Sequence, residues 1–197
     1  MKGFFTTSIL ISLLAALSTT ANAQGWKAHN APLKDSPAHF APSEEALLYL
    51  GYAKTSDAIY PYDGLSVEDD SRVGCAMVLT PNMLRPYAGG EVVGMVAGWD
   101  TYDSDGSYEC FVRKAFHGDK LAGTQTAAKV GFGWNTINFD QTYTIPNNPD
   151  SLLVGFYCDL QKDVIAIPTL YPHNRPGSCF LWREGETDDS GRELWQD

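Results

Sequence analysis

Short apolar runs alternate with clusters of turn-forming residues over most of the chain. Val73, Cys75, Met77 and Leu79 fall on alternate positions of one such run, which is typical of a strand with one buried face. The clusters between the runs are rich in Gly, Pro, Asn and Asp, which favour turns. The predicted strands are 47–52, 73–79, 92–99, 108–115, 136–139, 152–158, 164–167 and 179–182. Many short strands joined by turns predict an all-β fold, a jelly-roll-like β-sandwich.

One stretch has the features of a helix instead. Thr80 is a residue type favoured at the N-cap, Pro81 suits the first helical position, and Pro86 ends the pattern. The sequence therefore predicts one short helix of one or two turns. It contains no repeat of solenoid period and no low-complexity segment. We therefore expect residues 46–197 to form a single domain.

The first 23 residues have the pattern of a secretory signal peptide. Lys2 is followed by an apolar stretch over 4–17 and by Ala21-Asn22-Ala23, which places small residues at a cleavage site. A transmembrane anchor is the alternative, but the apolar stretch is shorter than the roughly 20 residues that a spanning helix needs. We expect residues 1–23 to direct the protein to the cell surface or outside the cell. Residues 24–45 contain three prolines and predict an extended arm or a loosely held first strand.

Composition and charge exclude some classes of binding partner. Apolar residues make up 44% and charged residues 19% of the chain, which is typical of a globular protein and excludes wholesale disorder. The chain has 14 Lys and Arg against 24 Asp and Glu, a formal net charge of −10. Nucleic acids and anionic membrane surfaces attract basic proteins, so we expect neither as a partner. No second apolar stretch is long enough to predict a membrane span.

The four cysteines leave the number of disulfides open. They are Cys75, Cys110, Cys158 and Cys179. In an exported chain this even count permits zero, one or two disulfides, and four cysteines allow three complete connectivities. Each cysteine also lies in an apolar run, where it serves equally well as a small buried hydrophobic residue. The sequence has no Cys-x-x-Cys motif, so it does not predict a zinc ribbon or a thioredoxin-type site.

Four blocks of sequence resemble one recurring pattern. Residues 74–98 resemble a strand that enters a short helix of the "ML..Y.G" kind and leaves through a second strand, and residues 133–146 resemble a "GWN.V.LD.PY.I" block. Residues 151–156 resemble an "LYIGY" strand, and residues 177–182 resemble a "G.S....W" close. In this order the blocks resemble the adhesin-like β-sandwich domains of exported proteins in Bacteroidetes. They are similar to the cleaved-adhesin (haemagglutinin) modules attached to gingipain-type proteases.

The resemblance implies a non-enzymatic module that binds a carbohydrate or a host or matrix protein. Modules of this kind often bind calcium structurally, and they are usually parts of larger proteins. Members tend to continue past the final tryptophan of the pattern with one more apolar strand, whereas this chain continues to Asp197 without one. We therefore expect either that the fold closes differently or that a strand is missing from this chain.

The Gly-Trp-Asn block also has a physical interpretation of its own. Gly133 suits a positive φ after a loop, because glycine has no Cβ. Ile137 and Phe139 alternate with Asn138 and Asp140, which predicts a strand with the first pair inside and the second pair outside. We interpret the block as a structural strand and turn rather than as a ligand site.

Three carboxylates in seven residues form the candidate metal site. They belong to Asp100, Asp103 and Asp105, in a segment that ends with Gly106. Calcium binds six to eight oxygen ligands, and a turn with alternating acids supplies several at once. The EF-hand pattern is incomplete, however, and Asp and Gly are also favoured in ordinary solvated turns. Residues 68–70 are a second, weaker candidate.

Aromatic residues in turns and at strand ends are the candidate ligand-binding residues, because a flat ring matches the apolar face of a pyranose. They are Tyr60, Tyr62, Trp99, Tyr102 and Tyr171. The alternative is that these rings pack as core residues or edge caps. We expect recognition through loops 57–70, 99–107 and 168–177 rather than through a buried pocket.

Enzymatic motifs are absent from the sequence. It contains neither Gly-x-Ser-x-Gly nor His-Glu-x-x-His, and no cysteine has a recognisable catalytic histidine. Asp100 and Glu109 flank a predicted loop and are the candidate acid pair for a small glycoside hydrolase. The favoured hypothesis is a secreted non-enzymatic binding module. The alternatives are an accessory or inhibitory module that docks on an exported protease and, less favoured, the hydrolase.

Overall fold

The computed structural model describes residues 8–13, 26–28, 47–51, 59, 64–168 and 179–196. The strands in these ranges are β1 (Ser8–Leu13), β2 (Trp26–Ala28), β3 (Leu47–Gly51), β4 (Gly64–Val67), β5 (Ser71–Leu79), β6 (Glu91–Trp99), β7 (Gly106–Arg113), β8 (Lys120–Gly123), β9 (Ala128–Val130), β10 (Gly133–Thr144), β11 (Leu152–Leu160), β12 (Ile167–Pro168) and β13 (Phe180–Arg183). A short helical segment joins β5 to β6, with helix α1 (Pro81–Leu84) followed by a 3₁₀ turn (Arg85–Tyr87).

Most strands belong to one curled sheet. Its order is β13-β5-β11-β7-β8-β10-β6-β1-β3, with β9 paired to β7, and a smaller sheet has the order β12-β4-β2. The curl passes through β10, where the pairing with β6 shifts register between Asn138 and Tyr143 and Gln141 pairs instead with Gly123 of β8. Extra residues in one strand bend it and increase its twist, so the two parts of the sheet turn to face each other. The predicted all-β, sandwich-like fold with one short helix is confirmed.

The apolar core fills the inside of the curl. On adjacent strands, Cys75 of β5 lies opposite Phe156 of β11, and Phe156 lies opposite Cys110 of β7. All three side chains are buried within the largest apolar cluster. Since directly opposed residues project to the same face of a sheet, this register places them together on the inner face.

A tyrosine crosses the interior between two strands that are not neighbours. Tyr108 of β7 is fully buried, and its hydroxyl donates a hydrogen bond of 2.5 Å to the carbonyl of Gly98 in β6. Its ring stacks on Phe156 at 3.8 Å between centroids and meets the edge of Trp99 at 5.8 Å. Burial raises the pKa of the Tyr108 hydroxyl well above its ordinary value, so it remains a donor. The contact fixes β6 and β7 relative to each other across the core.

The C-terminal residues pair with β13 and pack on the outer face of the sheet. Leu181 of β13 and Gln196 exchange two backbone hydrogen bonds of 2.8 Å each. The ring of Trp195 packs against Tyr157 and Trp182, with centroids 6.0 and 6.3 Å away. A Cβ on Gly74 would lie 2.6 Å from the Trp195 ring, so glycine at position 74 permits this close packing.

Two strands lie in the segments that the sequence assigned to a leader and an arm. β1, within the predicted leader, pairs in parallel with both β6 and β3. β2, within the predicted arm, pairs antiparallel with β4. Among the described residues, no helix has the length and apolar character needed to cross a membrane.

The helix and the Gly-Trp-Asn block follow their sequence patterns closely. The helix begins at Pro81, but the side chain of Thr80 does not cap it, and the carbonyl of Thr80 accepts from the helical N–H groups instead. Gly133 has φ +100°, as its position after a loop predicts. Ile137 and Phe139 are buried, whereas Asn138 and Asp140 are exposed, which confirms the predicted alternation.

Replacing Tyr108 by Phe tests the contact that crosses the core. The change keeps the ring but removes the donor to the Gly98 carbonyl, and a buried acceptor that loses its partner costs about 1–3 kcal/mol of stability. We expect chemical denaturation to show a loss of this size. Tyr143→Phe is the control, because Tyr143 is half-buried whereas Tyr108 is fully buried. Equal stability losses in both variants would contradict the assigned role of Tyr108.

Candidate functional site

The loop of residues 100–105 joins β6 to β7 and is fixed at several points. The indole N–H of Trp99 donates to the carbonyl of Ser104 at 2.7 Å, which draws the far side of the loop onto the end of β6. The backbone N–H of Asp100 donates to Ala166 at 2.9 Å. Within the loop, the N–H of Asp103 donates to the hydroxyl of Thr101 at 3.0 Å. These bonds define the loop geometry before any ligand is present.

The glycine that ends the loop is required by the position of Trp99. A Cβ at Gly106 would lie 2.4 Å from the Trp99 ring, a distance that no side chain tolerates. Trp99 itself is 2% exposed. It therefore supports the loop from beneath as a core residue, and its buried ring is not available to the ligand that the sequence suggested for it.

Tyr102 projects from this loop into solvent. It is 63% exposed, and together with Leu194 it makes up the exposed large hydrophobic residues of the described part of the chain. Its ring stacks on Phe132 with 3.8 Å between centroids and an interplanar angle of 27°. We call this pair of rings the Tyr102–Phe132 platform. It presents one flat aromatic face at the surface and is supported on the other face by a second ring.

Asn135 shapes the turn that holds Phe132. Its side-chain amide donates to the carbonyls of Gly131 at 2.7 Å and Gly133 at 2.9 Å, and its oxygen accepts from the N–H of Gly131 at 3.0 Å. Three hydrogen bonds from one half-buried side chain bracket Phe132 on both sides. The asparagine of the Gly-Trp-Asn block thus has a structural role. By fixing the turn around Phe132, it positions one of the two rings of the platform.

One carboxylate lies close to the platform, and a second is exposed on the same loop. Asp103 and Asp105 are exposed on the same loop as Tyr102. The Asp105 carboxylate lies close to the Phe132 turn, since a Cβ on Gly131 would be 3.4 Å from its Oδ1. An exposed aromatic ring flanked by hydrogen-bond acceptors offers both apolar contact and polar recognition.

The three aspartates predicted as calcium ligands are in different environments. Asp100 is fully buried, and a Cβ on Gly64 would lie 2.1 Å from its Oδ2. Asp103 and Asp105 are exposed. Within the described ranges, no three Asp, Glu, His or Cys side chains are grouped so that they could hold a metal ion. In the weaker candidate at 68–70, Asp70 accepts from the N–H of Lys162 at 2.7 Å, which is a structural contact.

The remaining predicted ligand residues lie outside the described residues. They are Tyr60, Tyr62 and Tyr171, together with residues 57, 58, 60–63 and 169–177 of the two predicted loops. Residues 64–67 of the first predicted loop are not a loop but the buried strand β4, because they pair with β2 and β12. Loop 99–107 is described throughout, and Tyr102 is the predicted aromatic that it exposes. Sequence analysis missed Phe132, although its position directly before the Gly-Trp-Asn block was a usable signal. The sequence could not show that Phe132 stacks on Tyr102, which lies 30 positions earlier.

The structure does not bring together the acid pair suggested for a hydrolase. Asp100 is buried in the interior, whereas Glu109 is half-buried and forms an ion pair with Arg72. Tyr108 projects inward on β7, so its neighbour Glu109 projects to the opposite face of the sheet. The two carboxyl groups therefore do not face each other across a cleft.

The cysteines are poorly placed for nucleophilic catalysis. All four are buried. Burial raises the pKa of the Cys110 and Cys158 thiols well above the ordinary value, so the reactive thiolate is disfavoured at both.

Comparison of the chain with models of known protein families, with curated proteins and with solved structures found no match in any of the three. The adhesin-like resemblance of the sequence therefore stays a prediction.

Removing the Asn135 side chain tests the support of the platform. Asn135→Ala deletes three hydrogen bonds at once, and we expect a stability loss of about 1–3 kcal/mol by chemical denaturation. Asn138→Ala on the exposed face of the same strand is the control and should change stability by less than about 0.5 kcal/mol. A neutral Asn135→Ala variant would contradict the structural role given to this residue.

Proposed function

We propose that this chain is an exported, non-enzymatic binding module that recognises carbohydrate through the Tyr102–Phe132 platform. The observation that supports the proposal is the exposed ring of Tyr102, stacked on Phe132. This ring lies in a loop with several fixed hydrogen bonds, so it is presented to solvent in one defined position. A host or matrix protein is the other class of ligand, and the binding experiment below separates the two.

Carbohydrate suits this surface because of its mixed character. One face of a pyranose carries mainly C–H groups, which pack well on a flat ring, and its edge carries hydroxyl groups. The Asp105 carboxylate lies close to the Phe132 turn and the exposed Asp103 is on the same loop as Tyr102, and carboxylates accept hydrogen bonds from hydroxyls. Because Asn135 and Trp99 already order the two turns, little conformational freedom is lost on binding.

Export is the second element of the proposal and rests on the pattern of residues 1–23. Cleavage after Ala23 would remove β1 from its place between β6 and β3. In the processed protein, β3 would then have to pair directly with β6, or the edge of β6 would become accessible. N-terminal sequencing of the protein recovered from expression of the full sequence identifies the processed form.

The first test measures glycan binding with a conservative and a disruptive change at the same position. We expect Tyr102→Ala to weaken binding about tenfold or more, since loss of a stacking ring removes about 1.4 kcal/mol. Tyr102→Phe keeps the ring and should stay within about threefold of the unchanged protein. A glycan array followed by titration calorimetry on the best ligand gives both numbers.

The outcome of that test also separates the alternatives. Glycan binding that Tyr102→Ala leaves unchanged would refute the platform as the site. Binding to matrix proteins without binding to glycans would favour the protein ligand. Failure to bind either, in a sample shown to be folded, would favour the accessory module that docks on an exported protease.

Calcium is proposed as a stabilising ion of loop 99–107, held by Asp103 and Asp105 with backbone carbonyls. Asp100 is too deeply buried to complete the set. Two exposed carboxylates form a weak site, so we expect dissociation constants of about 10⁻⁴–10⁻³ M. At saturating calcium the melting temperature should rise by several degrees, on the order of 2–4 °C per kcal/mol of binding.

A thermal-shift series with calcium and with chelator checks this expectation. The rise should disappear in the double variant Asp103→Asn, Asp105→Asn and persist in Asp119→Asn, which changes an exposed aspartate in a different loop. An equal rise in all three proteins would place any calcium site elsewhere.

A further inference from the structure

Two of the buried cysteines have their sulfur atoms in contact. Cys75 lies on β5, and Cys179 comes directly before β13, the strand that pairs with β5. Their Sγ atoms are 3.9 Å apart in the buried core. From this contact we propose that Cys75 and Cys179 are a disulfide-forming pair, oxidised by a protein or small-molecule disulfide in the compartment to which the chain is exported.

The register of the two strands supports the pairing. Leu181 lies opposite Cys75, and Cys179 is two positions before Leu181. Alternate residues of a strand share a face, so Cys179 is a diagonal neighbour of Cys75 on the inner face. Two sulfur atoms that are not bonded approach no closer than van der Waals contact, so 3.9 Å is the separation expected of two adjacent thiols.

Formation of the bond requires a rearrangement at the two cysteines. The sulfur atoms must approach from 3.9 Å to about 2.05 Å. Rotation of the two side chains supplies part of this movement. Backbone movement at Cys179 supplies the rest. Cys179 lies directly before β13 and is therefore less constrained than a residue within the strand.

The other two cysteines are less suited to oxidation. The Cys110 thiol contacts the carbonyl of Tyr108 at 3.9 Å rather than a second sulfur. The sulfur contact therefore favours a single bond, Cys75–Cys179, with Cys110 and Cys158 left as thiols.

The chemistry is a two-electron thiol–disulfide exchange. The thiolate of one cysteine attacks the oxidant disulfide and forms a mixed disulfide, with release of one oxidant thiol. The second cysteine of the pair then attacks the mixed disulfide, which forms the Cys75–Cys179 bond and releases the other oxidant thiol. The protein loses two protons and two electrons, and the oxidant disulfide gains both. Because both sulfurs are buried in the folded chain, exchange takes place during folding or local opening.

The bond would join residues that are 104 positions apart. A cross-link that closes so long a loop restricts the unfolded chain strongly. We expect reduction to lower the melting temperature by about 5–15 °C for a domain of this size.

The inference rests on the proposed export for its oxidant, but its geometry can be tested separately. The full sequence is expressed once with secretion and once in a reducing cytosol. The cytosolic protein is purified folded and treated with oxidised glutathione. Free thiols are alkylated under denaturing conditions without reduction, and intact mass and peptide mapping locate the bond. We expect two alkylated thiols, at Cys110 and Cys158, and a linked peptide pair containing Cys75 and Cys179.

Single variants provide matched controls. Cys75→Ser should abolish the linked pair and leave Cys179 alkylated, whereas Cys110→Ser and Cys158→Ser should retain the bond. If a serine variant fails to fold, the peptide map of the unchanged protein still decides the question. Four alkylated thiols, or a bond with different partners, in the glutathione-treated folded protein would overturn the inference. A bond that forms with glutathione but is missing from the secreted sample would support the pairing and count against export.

Discussion

The hydroxyl of Tyr108 is buried in the centre of the protein, where it must have a hydrogen-bond partner. It finds that partner in the Gly98 carbonyl, on a strand separated from its own by β8 and β10 in the sheet order. The curl of the sheet brings these strands together, and the hydrogen bond fixes how closely they approach. Stacking of the Tyr108 ring on Phe156 extends the same constraint to β11.

The candidate site depends on this constraint. Gly98 is followed by Trp99, whose ring lies against Tyr108 and whose indole N–H holds Ser104. The loop that presents Tyr102 is therefore tied to the core through one side chain. The second half of the platform, Phe132, is set by Asn135 on β10, the strand through which the sheet curls. Contacts in the protein interior thus position the Tyr102–Phe132 platform at the surface.

The outer face of the sheet needs its own apolar cover, because the central strands are buried on both sides. Phe111, Leu153 and Tyr157 form an outer cluster, against which Trp195 packs. Glu193 anchors this cover by accepting from the Tyr157 hydroxyl at 2.7 Å and from Arg113 at 3.2 Å. The same end of the chain holds β13 in place through Gln196, and β13 in turn positions Cys179 beside Cys75.

Local pattern predicted the longer elements well. Alternation and flanking turn formers located β5, β7 and β11, and Pro81 marked the start of the helix, because these signals reflect contacts within one strand or one turn. The strand predicted at 164–167 is largely irregular, with β12 at Ile167–Pro168, and the short strands β4, β8 and β9 were missed. Strands this short have too few residues to show a period, and their pairing partners fix them instead.

The sequence by itself determined the fold class, the positive φ of Gly133 and the inside–outside alternation of Ile137 to Asp140, since each follows from residue type and neighbours. Only the tertiary structure decided which aromatic residues face solvent. Trp99 ends β6 and Tyr102 follows three residues later in the loop, yet the first is in the core and the second is exposed. It also placed Phe132 beneath Tyr102 and Cys179 beside Cys75. These contacts join residues far apart in the chain, and the curl and register of the sheet, rather than any local pattern, bring them together.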